Sequence, residues 1–396
     1  MRFRGMGRMG RGTGVDRRTA MSAMAGAAAL GVVDCALAAE TGVTDTRIKI
    51  GQSAVFTGPA KDFGVDYKAG IALAFDKVNK TGGVNGRTLE LVSHDDAYEP
   101  KKTAENTAKL IDEDKVFALI GYVATGNLIA AMPLVEKAGV PMFAPLVGTT
   151  SFRTTHNRYL FHVRASYETE LRKIVGHLAT LGINNIAVIY QNSAFGKSNL
   201  DTCLQIAQGL KVKVVDSVPM EIAATDAKPQ VAQLTKAQPG AVVMIMAGKM
   251  VEVFLRDYRA AGAASPLYTI SVGITDAPGS AQRLNGGIEG LVTASIVPSP
   301  QASRLAIVAD YRKDRADAGE KIDSYTMLEG YIAARVFLEG VKRAGKALTR
   351  EGFIKAMEDM GTTKIGDFPL VYGPNNHNGS NFVDLEMYTR SGSLRR

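Results

Sequence analysis

Two hydroxyl-bearing segments each follow a predicted strand, so they stand where a small molecule could be held. Thr125-Gly126 comes after the strand predicted at 117–121 and directly before a helical pattern. The free N–H groups of a helix start, together with a threonine hydroxyl, can cradle an anion such as a carboxylate. The second segment, Pro145 to Ser151, also follows a strand end and carries Thr149. Both segments also have purely structural interpretations, as a helix N-cap and an ordinary turn.

The chain lacks the residue patterns of common catalytic sites. It has no Gly-x-Ser-x-Gly, no His-Glu-x-x-His, no P-loop and no Gly-x-Gly-x-x-Gly after a strand. The histidines at 94, 156, 162, 177 and 377 are scattered without the spacing of metal ligands. Asp95-Asp96 follows a strand and precedes a turn, which favours loop-shaping acids over a catalytic pair. We therefore expect a protein that is not an enzyme and has no metal or cofactor.

The first 38 residues are typical of an export signal. An apolar stretch from Ala20 to Val33 leads to Ala36-Leu37-Ala38, which fits the A-x-A cleavage pattern. The stretch is shorter than the roughly 18 residues that span a bilayer, which disfavours a retained anchor. Arg17-Arg18 resembles a twin-arginine signal without its following Phe-Leu, so Sec export remains an alternative, and Cys35 leaves lipidation as another. The basic residues before the apolar stretch are Arg2, Arg4, Arg8, Arg11, Arg17 and Arg18.

Removal of this signal changes the charge and leaves a chain long enough for two domains. Residues 39–396 carry 41 basic and 37 acidic side chains, so the net charge falls from +8 to +4, and nucleic-acid binding is not indicated. A chain of 358 residues exceeds the single-core limit of about 250 to 300. Only Cys203 remains, which excludes an intramolecular disulfide and a paired-cysteine metal site.

Strand-like apolar runs alternate with helical patterns along the chain. Repeated βαβ units predict mostly parallel sheets with helices on both faces, here in two lobes of similar construction. The first lobe has predicted strands at 89–92, 117–121, 140–143 and 159–163 and helices at 67–79, 103–113 and 127–137. The second has helices at 167–181, 197–209, 227–236 and 250–261 and strands at 186–190, 212–218, 242–246 and 267–270. A strand at 290–297, helices at 302–315, 325–344 and 350–360, and a strand at 382–388 complete the pattern.

Four motifs, taken together, resemble the type I periplasmic solute-binding proteins, in the branch that includes the leucine/isoleucine/valine-binding receptors of ABC importers. The motifs are Thr57-Gly58-Pro59, Gly82 to Arg87, His94-Asp95-Asp96 and Gly139-Val140-Pro141. The resemblance implies an α/β fold of two Rossmann-like lobes with parallel sheets, joined by a three-stranded hinge. It places the three segments in which the chain crosses from one lobe to the other at Val163 to Ala165, Thr293 to Ile296 and Lys364 to Pro369.

The resemblance also implies domain boundaries and partners. The first lobe is expected to comprise 45–163 plus 296–364, and the second lobe 164–295 plus 365–396. The expected protein is a periplasmic monomer that closes on a small-molecule ligand and delivers it to an ABC permease. The alternative is a sensory module of the same fold that reports to a signalling receptor. A transcription regulator is disfavoured because the basic N-terminus lacks a helix-turn-helix pattern.

By resemblance, the ligand carboxylate is held in the first lobe by the Thr125 side chain, the Leu146 backbone and a hydroxyl near Gly148 or Thr149. Phe63 and Phe195 occupy the places of aromatic side chains that enclose an apolar ligand body from the two lobes. Further candidates for the ligand site are Tyr98, Gly126, Tyr167, Tyr190, Gly248, Gly273 and Tyr325.

One segment departs from the amino-acid receptors of this branch. They place an acidic residue after the strand that ends near Ile270, where it meets the ligand ammonium. Here the segment is Ser271 to Thr275, with no carboxylate before Asp276. A buried ammonium without a counter-charge would be costly, so an aromatic or aliphatic acid lacking the amine is a strong alternative to an amino acid. Asp276 or Glu329 reaching into the site would reverse that inference.

Overall fold

The computed structural model describes residues 40–395. The predicted export signal, with Cys35, therefore lies outside the described residues. Within 40–395, no helix combines the length and apolar character that a bilayer-spanning segment needs.

The first lobe is built on a five-stranded sheet. Its elements, in chain order, are β1 (Arg47–Ala54), α1 (Lys61–Asn79), β2 (Thr88–Asp95), α2 (Pro100–Asp112), β3 (Ala118–Ile120), α3 (Thr125–Ala138), β4 (Met142–Phe143), α4 (Ser151–Thr154) and β5 (Leu160–Phe161). The strand order is β2-β1-β3-β4-β5, and every pair is parallel. The central strand β3 is buried at every residue, as expected for a parallel sheet covered on both faces.

The second lobe contains a seven-stranded sheet. Its first elements are α5 (Tyr167–Thr180), β6 (Asn185–Gln191), α6 (Ala194–Gly209), β7 (Lys213–Met220), α7 (Lys228–Lys236), β8 (Ala241–Ile245), α8 (Lys249–Ala260), β9 (Leu267–Thr269), α9 (Ala277–Arg283) and β10 (Val292–Ser295). Strands β7, β6, β8, β9 and β10 are parallel neighbours in that order. The expectation of two α/β lobes with parallel sheets is confirmed.

The chain then returns to the first lobe before it ends in the second. The remaining elements are α10 (Ala306–Ala318), α11 (Tyr325–Ala344), α12 (Arg350–Glu358), β11 (Thr362–Ile365), β12 (Phe368–Gly373), β13 (Asn376–Gly379), β14 (Asp384–Tyr388) and β15 (Leu394–Arg395). Strand β14 pairs antiparallel with β10, and β15 pairs antiparallel with β14 at the edge of the second sheet. Strands β11, β12 and β13 form a separate antiparallel sheet.

Helix α11 packs closely on α1 because glycines stand at their contact. A Cβ added to Gly70 would lie 2.0 Å from the Met327 carbonyl oxygen, and one added to Gly330 would lie 2.2 Å from the Tyr67 carbonyl oxygen. Any side chain at either position would push the two helices apart. This contact fixes the start of α11 against α1, and both helices help to line the cavities described below.

The third crossing between lobes differs from the expectation. Lys364 pairs with Pro369 across the β11–β12 hairpin, so the chain turns back there and does not cross. The following residues still pack on the first lobe, since the His377 ring stacks on Phe161 with centroids 3.8 Å apart. The crossing lies instead between β13 and β14, where Ser380 donates its N–H to the Val163 carbonyl. The prediction at 364–369 is therefore wrong, and residues 365–379 lie with the first lobe.

Candidate ligand-binding site

A small cavity lies where strand ends of the two lobes meet. It has a volume of about 20 Å³, which is room for about one water molecule. Ten residues line it: Phe63, Tyr98, Val123, Ala124, Thr125, Leu146, Tyr167, Phe195, Ala247 and Val272. Six of these are sequence-predicted site residues, and each comes from a different loop or helix. The carboxyl ends of parallel strands bring such segments together at one edge of the sheet.

Thr125 marks the start of α3 within this cavity. The residue before it, Ala124, has φ 78° and ψ 138° and makes no side-chain cap with any described residue. The first amide bonded back into the helix is that of Leu128, which donates to the Ala124 carbonyl at 3.0 Å. The amides of 125–127 precede that bond, as the first amides of any helix do. Positive φ at a residue with a side chain is strained, and such strain clusters at functional loops.

The Thr125 hydroxyl is paired with the Thr149 hydroxyl at 2.7 Å, and both side chains are buried. A hydroxyl pair can turn one hydrogen toward a ligand oxygen while it keeps the mutual bond. The structure therefore brings together two of the residues expected to hold a carboxylate.

The backbone N–H of Leu146 is not free to bind a ligand carboxylate, which is the role that the resemblance implies for the Leu146 backbone. Its N–H donates to the Tyr122 carbonyl at 2.7 Å, so it has no hydrogen left for a ligand in this arrangement. Gly148 acts through packing, because its carbonyl accepts the Tyr167 N–H and an added Cβ would lie 2.9 Å from the Tyr167 ring. Leu146 nevertheless lines the cavity.

Aromatic rings form the apolar part of the cavity wall. Tyr167 and Phe195 meet edge to face, with centroids 5.2 Å apart and planes at 74°. Phe63 approaches from α1, and a Cβ added to Gly248 would lie 3.4 Å from its ring. Burial raises the pKa of Tyr98 to about 12, so this phenol stays neutral. These rings would enclose an apolar ligand body.

The remaining predicted residues lie outside the cavity lining. Gly126 faces Pro100, Tyr190 is partly buried at the end of β6, and Gly273 packs on Thr269. Gly248, with φ 61°, caps α8 and donates its N–H to Val272. Tyr325 lines a different and larger cavity, where its hydroxyl donates to Glu386 at 2.8 Å.

Sequence reasoning missed a buried charge cluster behind the cavity, which we call the Arg164 cluster (Arg164, Glu170, Ser271 and Glu329). The Arg164 guanidinium lies 5.2 Å from the Tyr167 ring centroid and donates to the Ser271 hydroxyl at 2.5 Å. It pairs with Glu170 at 3.5 Å and with Glu329 at 3.6 Å. Glu170 also accepts the Ser271 N–H at 2.7 Å. The cluster thus connects the first segment that crosses between the lobes, which contains Arg164, to residues of both lobes.

Burial dominates the electrostatics of this cluster. It raises the pKa of Glu170 to about 7, although Arg164 and Ser271 act in the opposite direction. It also raises the pKa of Glu329, again opposed by Arg164. The Arg164 pKa is lowered by burial but raised more by Glu329 and Glu170, so this side chain stays charged.

No carboxylate from residues 40–395 lines the small cavity. Asp276 caps α9 through the Gly279 N–H at 2.9 Å and pairs with Arg283 at 3.1 Å. Glu329 is held by Arg164, and Val272 supplies an apolar wall from the segment where an acid was expected in amino-acid receptors. The described residues also contain no cluster of His, Cys, Asp and Glu able to hold a metal. As the sequence indicates, Asp95 shapes its loop by accepting the Phe56 and Ala97 amides.

The comparisons with known proteins agree with this architecture. A family model described as periplasmic binding protein matches residues 47–385. A leucine-, isoleucine-, valine-, threonine- and alanine-binding protein of Pseudomonas aeruginosa is 25% identical over 309 residues, which cover 76% of this chain and 79% of that protein.

Two further proteins are similar to this chain, one over less than half of its length and the other over most of it. An amino acid binding protein of the same organism is 28% identical over 171 residues, which span 42% of this chain and only 45% of that protein. The crystal structure of a possible leucine/isoleucine/valine-binding protein from Rhodopirellula baltica has a TM-score of 0.82 at 27% identity, covering 90% of this chain and 98% of that one. The chain belongs to the type I periplasmic binding proteins, in the family of the leucine/isoleucine/valine-binding receptors.

Proposed function

We propose that this protein is the periplasmic receptor of an ABC importer for a small acid with an apolar body and no α-amino group. The observation that carries this proposal is the makeup of the small cavity. Thr125 at a helix start supplies polar hydrogens for a carboxylate, aromatic rings supply the walls, and no carboxylate among residues 40–395 lines this cavity to meet an ammonium. The aromatic walls suit either a branched aliphatic or an aromatic body.

Ligand binding requires the two lobes to move. The cavity of about 20 Å³ is far smaller than the roughly 300 Å³ at the lower end of small-molecule sites. The lobes must therefore separate to admit the solute and then close on it. Contacts from both lobes exist only after closure, so binding shifts the equilibrium between open and closed forms in proportion to that difference. The closed form is then the species that the permease partner recognises.

The carboxylate contact is tested by Thr125→Val, which removes the hydroxyl at nearly constant volume. Loss of a hydrogen bond to a charged group costs about 1.5 to 3 kcal/mol, so affinity for the best acid is expected to fall roughly tenfold or more. Thr180→Val is the matched control, because Thr180 is exposed at the end of α5 and bonds only within its own helix. Isothermal titration measures both variants. Equal affinity of Thr125→Val and the parent would reject the helix-start carboxylate site.

A further inference from the structure

Arg153 is a partly buried arginine that lines neither of the two cavities between the lobes. It lies in the short helix α4, which directly follows the segment that carries Thr149. Two backbone bonds fold this helix back onto that segment. The Arg153 N–H donates to the Thr150 carbonyl at 2.8 Å, and the Phe152 N–H donates to the Thr149 carbonyl at 3.3 Å. A displacement of the segment around Thr149 therefore moves the Arg153 backbone with it.

The Arg153 guanidinium contacts two of the segments in which the chain crosses between the lobes. Its Nη2 atom donates to the Arg164 carbonyl at 3.0 Å, in the first crossing. Its Nη1 atom donates to the Asn378 carbonyl at 3.2 Å, shortly before the third crossing. A longer contact of 3.5 Å joins Nη2 to the Val147 carbonyl, next to the hydroxyl-bearing segment. One side chain thus connects the proposed carboxylate site with two crossings.

The first and third crossings are also bonded directly to each other. The His162 N–H donates to the His377 carbonyl at 2.8 Å, and the Ser380 N–H donates to the Val163 carbonyl at 3.1 Å. We call these two paired stretches the hinge ladder (162–164 and 377–380). The guanidinium of Arg153 bonds to a backbone carbonyl on each side of this ladder, so it holds the two stretches at a fixed separation.

A cation at this position is not explained by stability alone. All three acceptors of Arg153 are neutral carbonyl oxygens, and its buried Nε atom has no acceptor among residues 40–395. Burial lowers the pKa of Arg153 to about 9, and the charge of Arg164 acts in the same direction. A buried cation that meets no counter-charge is costly. Such a cost is commonly retained where a residue serves function.

We propose that Arg153 is a positioning residue that couples the carboxylate-binding segment to the hinge ladder. When an acid occupies the site at Thr125 and Thr149, α4 moves with that segment. The Arg153 guanidinium then passes the displacement to the carbonyls of Arg164 and Asn378. Arg153 acts on closure of the lobes without touching the ligand. This inference rests on the proposed function for the identity of the ligand, whereas the coupling is a property of the ligand-free protein as well.

Isothermal titration and X-ray scattering with 3-phenylpropanoate test the coupling in the presence of a ligand. Arg153→Met is expected to weaken binding about tenfold and, at saturation, to show about half or less of the decrease in radius of gyration of the parent. Thr125→Val also binds more weakly, but at saturation it should compact as the parent does, because its hinge ladder is intact. Arg153→Lys keeps the cation with fewer donors and should partly restore compaction. Arg172→Met, which removes a surface pair with Glu168, is the control and should match the parent.

Hydrogen exchange of the ligand-free protein tests the same coupling without a ligand. Thr149→Val loosens the carboxylate-binding segment, so it should speed exchange of the Ser380 amide about threefold or more when Arg153 is present. In the Arg153→Met background, Thr149→Val should add nothing at Ser380. The Gly240 amide, bonded to the Asn185 carbonyl in the second lobe, should exchange equally in all variants.

The outcomes separate this inference from the proposed function. If the parent binds no acid, the proposed function fails, and the exchange experiment decides the inference by itself. Full compaction of Arg153→Met at saturation overturns the coupling, even if its urea midpoint is lowered, because a purely structural role would give that result. The coupling is also overturned if Thr149→Val changes exchange at Ser380 equally with and without Arg153.

Discussion

Replacement of Arg164 by Met probes the charge cluster that joins the two lobes. Methionine has a similar length and is flexible enough to fill the space, so the main change is loss of the cation. Glu170 keeps the Ser271 N–H and hydroxyl as donors, whereas Glu329 loses its ion-pair partner. Arg153 does not replace it, because its donors go to the backbone carbonyls of 147, 164 and 378. Breaking a buried ion pair costs about 3 to 5 kcal/mol, and we expect a loss in this range at pH 8.

The loss should depend on pH with a defined sign. Burial already raises the pKa of Glu170 to about 7 and raises that of Glu329, and removal of Arg164 raises both further. A carboxyl group whose pKa is higher in the folded than in the unfolded protein lowers stability as pH rises through the folded value. The deficit of Arg164→Met is therefore largest at pH 8 and shrinks toward pH 5, because Glu170 binds a proton as the pH falls below about 7 and no longer carries a buried charge.

Urea unfolding of the parent and Arg164→Met at pH 5 and pH 8 measures this difference. Arg343→Met is the matched control, since Arg343 forms a surface pair with Glu339 one turn away and its loss should cost less than about 1 kcal/mol. The double variant Arg164→Met/Glu329→Gln should recover part of the lost stability, because it removes one uncompensated charge. A deficit below about 1 kcal/mol at pH 8, or one that grows on acidification, would refute the reasoning.

Two further substitutions test the contact between the lobes at Gly248 and the burial of Asp66. Gly248→Ala should weaken acid binding and raise the radius of gyration measured by X-ray scattering. An alanine at φ 61° is strained by about 1 to 2 kcal/mol, and its Cβ would lie 3.4 Å from the Phe63 ring of the other lobe. Gly176→Ala is the control: Gly176 lies in α5, an added carbon meets nothing within 4 Å, and both properties should stay unchanged. Equal behaviour of the two variants would contradict a role of the Phe63–Gly248 contact in closure of the lobes. Asp66→Asn should raise the free energy of unfolding by about 1 to 3 kcal/mol at pH 8 but not at pH 4. The pKa of Asp66 is about 6 in the folded protein, above its ordinary value, so ionisation of this group lowers the stability of the parent as pH rises from about 4 through 6. Urea midpoints at the two pH values check this, with Asp112→Asn as the control, and equal midpoints at pH 8 would contradict it.

Much of the fold could be predicted because local signals agree with the final structure. Helix α11 has the predicted bounds, since Ser324 caps its start by accepting the Met327 amide and Gly345 follows its end. Helix α1 begins at Lys61, six residues before the predicted start at 67, because Gly64 in its first turn weakens the local helical pattern. The β11–β13 sheet was not predicted, since its strands are only four to six residues long and the exposed positions of β12 include the apolar Val371, which obscures the alternation in the sequence.

The candidate site was predictable only in part. Strand ends and helix starts are visible in the sequence, so Thr125 and the segment around Leu146 could be identified from them. The Arg164 cluster could not be, because Ser271 and Glu329 lie far from Arg164 in the chain and only the crossings bring them together. The larger cavity lined by Tyr325 was not predicted for the same reason, since its walls come from both lobes.

The central claim concerns an acid without an α-amino group, and matched ligand pairs test it most directly. Isothermal titration would compare 4-methylpentanoate with leucine and 3-phenylpropanoate with phenylalanine, each pair differing only in the ammonium. An ammonium placed among apolar walls without an acceptor is costly, so in the pair that binds we predict at least about tenfold tighter binding of the acid. Tighter binding of the amino acid in either pair would contradict the account.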